Sequence, residues 1–123
     1  GQRHGSYGEM IWEDGHRYVG TFESDLRSGQ GTFFFQDGSE YTGDWLENQM
    51  HGYGQRRYVN GDVYVGQYQY DQRGGPKGKM KLVNGDLYVG EWKSDKFHGI
   101  GRYFFKDGTV LEGMWIKGMK HGK

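Results

Sequence analysis

With 123 residues, sixteen basic against sixteen acidic side chains and no cysteine, the chain has room for one domain and no net positive field with which to gather nucleic acid. The lack of cysteine removes disulfides and thiolate metal sites and fits a reducing compartment. Apolar residues reach only 33%, but 17% of the chain is aromatic and 24 residues are glycine against one proline, which excludes a charged disordered tail, a collagen repeat and a membrane-spanning helix.

Asp14-Gly15, Asp37-Gly38, Asn60-Gly61, Asn84-Gly85 and Asp107-Gly108 recur along the chain at spacings of 23, 23, 24 and 23 residues. Each is followed by the same pattern: Tyr18-x-Gly20-x-Phe22, Tyr41-x-Gly43-x-Trp45, Tyr64-x-Gly66-x-Tyr68, Tyr88-x-Gly90-x-Trp92 and Leu111-x-Gly113-x-Trp115. Gly-x-Gly precedes the turn at Gly29/Gly31, Gly52/Gly54 and Gly99/Gly101. Frequent glycine rules out long helices, and alternating Tyr, Phe, Trp, Val and Thr favour strands, so each unit reads as a β-hairpin. Residues 1–123 are expected to form one domain of about five such units. Because it opens on Gly1 and stops part-way into a further unit at His121-Gly122-Lys123, it is expected to be a segment of a longer protein.

A three-residue turn with glycine in the left-handed position pairs Phe35 with Ser39, Phe33 with Tyr41, Gly31 with Gly43 and Gly29 with Trp45. A two-residue turn would instead set Phe34 beside Tyr41; the first register aligns every repeat and is preferred. For the links between hairpins, a turn centred on Asn48-Gln49 predicts Trp45 opposite Gly52, with Asp25, Asp71, Asp95 and Gly118 as the matching turn residues. These pairs predict three rows on one face. The first is all glycine, from Gly8 through Gly20, Gly31, Gly43, Gly54, Gly66, Gly78, Gly90 and Gly101 to Gly113. The second mostly alternates rings with small residues: Phe22, Gly29, Trp45, Gly52, Tyr68, Pro76, Trp92, Gly99, Trp115 and Gly122. The third is Met10, Tyr18, Phe33, Tyr41, Arg56, Tyr64, Met80, Tyr88, Tyr103 and Leu111. The predicted fold is all-β: an elongated, single-layer, twisted antiparallel sheet of consecutive hairpins, about ten strands, with rings lying over bare glycine backbone.

Tyr41-Thr42-Gly43-Asp44-Trp45 with His51-Gly52-Tyr53-Gly54, and Tyr88-Val89-Gly90-Glu91-Trp92 with His98-Gly99-Ile100-Gly101, resemble MORN (membrane occupation and recognition nexus) repeats, over nearly the whole chain. Departures are Leu111 for Tyr, Phe22 and Tyr68 for Trp, and one extra residue in Gly74-Gly75-Pro76-Lys77-Gly78, where a bulge or kink is expected between the third and fourth hairpins. The resemblance implies a non-catalytic module without cofactor that holds partners, in a cytoplasmic setting associated with cytoskeleton or membrane.

The rings are expected to be core first, with edges left partly exposed on a single-layer sheet along a groove for a peptide or helix of a partner; Tyr41, Trp45, Tyr64, Tyr68, Tyr88 and Trp92 are the candidate contacts. Lys77, Lys79 and Lys81 alternate onto one face with Arg57 and Arg102 on neighbouring hairpins; Lys77, Lys79, Lys81 and Arg102 are a candidate patch for an acidic partner or an anionic lipid surface. Glu91 is expected beside Lys77. On that opposite face Ile11, Phe34 and Phe104 suggest an exposed apolar line. The open C-terminal edge near 110–116 is a candidate for self-association. A regulatory arm of an enzyme encoded elsewhere in a longer chain is a further reading.

Neither metal nor catalytic residues are proposed. His51 and His98 lie about four strands apart, on the order of 19 Å, far beyond a shared ion. Pairs such as Glu40/Asp44 and Glu91/Asp95 fall on a solvated face or turn with no pocket implied.

Overall fold

A computed structural model describes residues 6–121 as eleven strands: β1 Ser6–Ile11, β2 Arg17–Glu23, β3 Leu26–Phe34, β4 Glu40–Leu46, β5 Gln49–Arg57, β6 Val63–Gln69, β7 Gln72–Lys81, β8 Leu87–Lys93, β9 Lys96–Phe104, β10 Val110–Ile116 and β11 Met119–His121. They form one open sheet in chain order, every pair antiparallel. The start of a further unit after Gly118 thus adds an eleventh strand to the ten or so expected; Gly122 and Lys123 lie outside the described residues.

The hairpin turns follow from their Asp or Asn. At Gln36-Asp37-Gly38 the Asp37 carboxylate accepts from Ser39 N (2.9 Å) while Phe35 N and Ser39 O close the strand end, and Gly38 takes φ +97°. Asn60 and Asn84 do the same for Asp62 N and Asp86 N (2.9 and 2.8 Å). Adjacent tips are tied through the residue after the glycine: Gln36 N donates to His16 Nδ1, Val83 N to Asp62 and Lys106 N to Asp86. Stacking is therefore between nearest neighbours.

The preferred register holds. Phe33 pairs with Tyr41, Gly31 with Gly43 and Gly29 with Trp45. The glycine row runs unbroken from Gly8 to Gly113, and the row from Met10 to Leu111 is likewise continuous. On the glycine row lie the tyrosines: a Cβ at Gly31, Gly54 or Gly101 would collide with the ring of Tyr18, Tyr41 or Tyr88. Tyr18, Tyr41, Tyr64 and Tyr88 are fully buried in this way.

The link register differs from the expected one. Trp45 faces Met50, not Gly52; Phe22 faces Arg27, not Gly29; Tyr68 faces Arg73, not Pro76; and Trp92 faces Phe97, not Gly99. Two devices cause this. The turn is Glu47-Asn48, both residues left-handed (φ +48° and +73°), one residue earlier than expected; Ser24-Asp25, Tyr70-Asp71 and Ser94-Asp95 repeat it. The residues this leaves over bulge on the following strand: His51-Gly52-Tyr53 of β5 lie opposite Asp44 alone, and residues 28–30, 74–77 and 98–100 lie likewise opposite Thr21, Gln67 and Glu91.

The bulge explains the motif. The carbonyl of the residue facing the bulge takes the tyrosine hydroxyl: Tyr18 donates to Thr21 O, Tyr41 to Asp44 O, Tyr64 to Gln67 O and Tyr88 to Glu91 O, at 2.7–2.9 Å. The same residue's side chain accepts from the amide inside the next Gly-x-Gly, as Asp44 does from Tyr53 N and Glu91 from Ile100 N (both 3.0 Å). Gly52, at φ +104°, presses on Asp44, so the first glycine serves the bulge and the second the tyrosine.

The extra residue of β7 shows on both of its sides: residues 74–77 lie opposite Gln67 of β6, where the other links set three residues opposite one, so the expected bulge does sit between the third and fourth hairpins, and it also breaks the pairing with β8 between Gly75 and Gly78.

A valine at position 54 has no room against Tyr41, so Gly54→Val should cost about 3 kcal/mol, whereas exposed Lys79→Ala should change stability by no more than about 0.5 kcal/mol. Chemical denaturation of both variants checks this; equal midpoints would contradict the packing described.

Candidate interaction surface

The six rings predicted to line a groove are buried: Tyr41, Tyr64 and Tyr88 fully, Tyr68, Trp45 and Trp92 to within 5% exposure. They are the core, as expected, but their edges are covered rather than left partly exposed to a partner. They meet edge to face along the array, Tyr41 with Trp45 (5.2 Å) and Tyr68 (5.1 Å), Tyr64 with Tyr68 (5.2 Å) and Trp92 (5.0 Å), and Tyr88 with Trp92 (5.4 Å). A single sheet achieves this because the link residues opposite the Trp positions cover the rings from the side.

That cover is the row Arg27, Met50, Arg73 and Phe97, which the sequence reading missed because it placed Gly29, Gly52, Pro76 and Gly99 there. The Arg27 guanidinium carbon lies 4.8 Å from the Trp45 ring centre and 5.0 Å from that of Phe33, with Nη2 bonded to Asn48 O (2.9 Å). Burial lowers its pKa, and Nε has no partner. Arg73 lies 5.0 Å over Trp92, donates to the Tyr58 hydroxyl (2.8 Å) and pairs with Asp95 (3.3 Å). Phe97 stacks on Tyr88 at 3.9 Å. A second missed row, Trp12, Phe35, Tyr58 and Leu82 just before the hairpin turns, packs against the same core; Arg56, in the tyrosine row, lies 4.0 Å over Phe35. The large apolar residue two places before each Asp/Asn-Gly turn, aromatic except at Leu82, was the available signal for it.

Open space on this face includes a cavity of about 290 Å³ over the middle repeats, lined by Ser39, Arg56, Tyr58, Arg73 and Met80, and two more over the later ones. A cavity of about 330 Å³ is lined by Arg73, Met80, Leu82, Trp92, Asp95 and Phe97, together with Lys96, Lys117 and Gly118. Lys96 and Lys117 also border a second cavity of about 250 Å³ with Lys93, Ser94 and His98.

On the opposite face Lys77, Lys79 and Lys81 are exposed and form no ion pair among the described residues, whereas Arg102 pairs with Glu112 (3.4 Å) and Arg57 with Glu40 (3.9 Å). Lys77 and Lys79 flank a cleft of about 340 Å³ lined by Tyr53, Val65, Pro76 and Val89. Arg102 is set off from the lysines by Val89, which pairs with both Lys79 and Arg102. Glu91 is directed to the Ile100 amide. The expected apolar line does not form: Ile11 and Phe34 are separated by Arg17, and Arg57 and Lys81 stand between Phe34 and Phe104.

Among the described residues no three His, Asp or Glu side chains converge, and His51 instead accepts from Tyr70 N (3.3 Å). No described helix is long and apolar enough to cross a membrane.

A bare glycine row, tyrosines laid over it and hairpins stacked in chain order define an open repeat sheet. The MORN repeat model matches residues 18–40, 41–63, 88–110 and 112–123, and the chain belongs to the MORN repeat family. The matches pass over 64–87, the stretch holding Pro76 and the lysines. No curated protein matches the chain. MORN repeats are generally non-catalytic and associated with protein or membrane-lipid interaction.

Burial, the leading cause, raises the pKa of Tyr88 to about 12, and of Tyr41, Tyr64 and Tyr68 as well. The folded pKa values exceed the unfolded value of about 10. Their stabilisation is therefore complete below about pH 10 and is lost as pH rises through the folded values. Melting temperature should stay level from pH 8 to 9.5 and fall steeply above pH 10; a level profile to pH 11.5 would contradict the buried phenols.

Proposed function

We propose that the chain is a non-catalytic protein-interaction module that holds a segment of a partner protein on the ring-bearing face. The contact surface is the row Arg27, Met50, Arg73 and Phe97 above Tyr41, Trp45, Tyr64, Tyr68, Tyr88 and Trp92, which act as its rigid floor. The observation that carries this reading is the cavity over Trp92 and Phe97, which joins the apolar Met80, Leu82, Trp92 and Phe97 to a few charged side chains able to orient a ligand. A floor of rings locked edge to face is already ordered before binding, which lowers the entropy cost of docking.

A second reading, association with anionic membranes through Lys77, Lys79, Lys81 and Arg102, draws on the lysines beside the Tyr53, Val65 and Val89 cleft. Each ammonium group contributes about 1 kcal/mol near an anionic surface, screened by salt.

Selection of a random peptide library against the chain, followed by amide chemical-shift mapping, separates the two. Protein docking predicts shifts at Arg73, Lys96 and Phe97, and binding weakened by Lys96→Glu or Lys117→Glu but not by a Lys77/Lys79/Lys81→Ala triple variant. Co-sedimentation with phosphatidylserine vesicles at physiological salt, lost in the triple variant, together with no peptide binding on the ring face, would overturn it in favour of the lipid reading.

A further inference from the structure

The link turns form a ladder in which the second turn residue grips the preceding link by two hydrogen bonds. Asn48 N donates to Arg27 O and Asn48 Oδ1 accepts from Arg27 N, both at 2.9 Å. Asp71 does the same with Met50, at 2.9 Å to its carbonyl and 2.8 Å from its amide. Asp95 repeats this with Arg73, at the same two distances. At the next step Gly118 N donates to Phe97 O (2.9 Å), but glycine has no side chain to accept from Phe97 N.

The missing acceptor lies where cations collect. Lys96 precedes the Phe97 amide and Lys117 precedes Gly118; both border the two cavities over the later repeats described above, and Lys93 and His98 line the second. Lys93, Lys96 and Lys117 make no ion pair among the described residues. The one carboxylate lining these cavities, Asp95, is engaged by Arg73 through its amide and Nε, and nearby Glu91 accepts from Ile100 N. An amide donor, uncompensated ammonium groups and an adjoining apolar cavity meet at one place.

We propose that this gap is a carboxylate-binding site, and that its ligand is an acidic and apolar segment of a partner protein. An Asp or Glu of the partner supplies the acceptor that Gly118 lacks, between Lys96 and Lys117, and the neighbouring apolar side chain enters the cavity over Trp92 and Phe97. The site rests on the ring-face docking reading and adds the chemical class of the partner. A carboxylate is the group this chain itself places at two of the equivalent rungs. A peptide is favoured over a membrane because the apolar cavity adjoins the anion position at the scale of neighbouring side chains, and a lipid headgroup brings no apolar group there. A charge-assisted bond to a backbone amide is among the stronger hydrogen bonds available to such a ligand.

The test titrates the isotope-labelled whole chain with two capped octapeptides, one alternating Asp and Leu, the other Asn and Leu, with inorganic phosphate as a third probe. The Asp/Leu peptide should shift the Phe97, Lys117 and Gly118 amides, and the Asn/Leu peptide should bind at least ten-fold more weakly. Gly118→Asp restores the rung within the chain: Gly118 has φ +85°, Asp71 and Asp95 have +71°, and a Cβ at 118 meets nothing within 4 Å. That variant should melt about 3 °C higher and lose the peptide response. Lys96→Ala and Lys117→Ala, both at exposed positions, should weaken binding several-fold without lowering the melting temperature.

Equal affinity for the two peptides would overturn the carboxylate site while leaving docking over Trp92 and Phe97 in place. Unchanged binding by Gly118→Asp, or phosphate binding as tight as the Asp/Leu peptide, would also overturn it. No response to either peptide on this face would remove both readings.

Discussion

A tyrosine ring laid flat on the bare backbone of the next strand, with its hydroxyl held by a carbonyl three residues ahead, is the contact on which the sheet depends. Tyr41 over Gly54, bonded to Asp44 O, shows its requirements. The ring needs a strand position without a side chain. The hydroxyl needs a carbonyl that the ladder has released, and the bulge opposite Asp44 releases it. The bulge in turn needs Gly52 in a left-handed conformation and an accepting side chain at position 44 for the Tyr53 amide. Each element of Tyr-x-Gly-x-Trp followed by Gly-x-Gly is thereby tied to one geometric demand, and a buried phenol gains a partner instead of an unpaired polar group.

A sheet with no second layer still buries its rings, because the roof is made by its own links. The links turn one residue early and direct Arg27, Met50, Arg73 and Phe97 over the Trp positions. The guanidinium groups suit this place, since they spread over aromatic faces while reaching backbone carbonyls at the turns. The repeat consumes Tyr and Trp for packing and leaves the roof to vary. Differences between units, and with them the chemistry offered to a partner, are concentrated at the roof and on the opposite face, where Pro76 and the three lysines interrupt an otherwise regular pattern.

A strict repeat also makes its defects readable. In an irregular loop a glycine such as Gly118 carries little information. Set against Asn48, Asp71 and Asp95, it marks the omission of one acceptor at one place, beside an apolar cavity and among lysines.

The sequence by itself determined the hairpins, the glycine row and the tyrosine row. Asp/Asn-Gly turns impose a left-handed glycine and a fixed loop length, and strand alternation carries that parity through every hairpin, so Phe33 opposite Tyr41 follows from residue types alone. It also placed Lys77, Lys79 and Lys81 together on the opposite face. Only the tertiary structure decided the link register, how fully the six rings are covered and the roof above them. The bulge shows in the pattern only as the first glycine of Gly-x-Gly, and the residue facing it carries no signature, since Thr21, Asp44, Gln67 and Glu91 share acceptor atoms but no type. The first link-turn residue, Ser, Glu, Tyr or Lys, carries no preference for a left-handed backbone. Whether a ring is open or covered depends on Arg27 or Phe97 arriving from a neighbouring link, a contact between units that no single repeat contains.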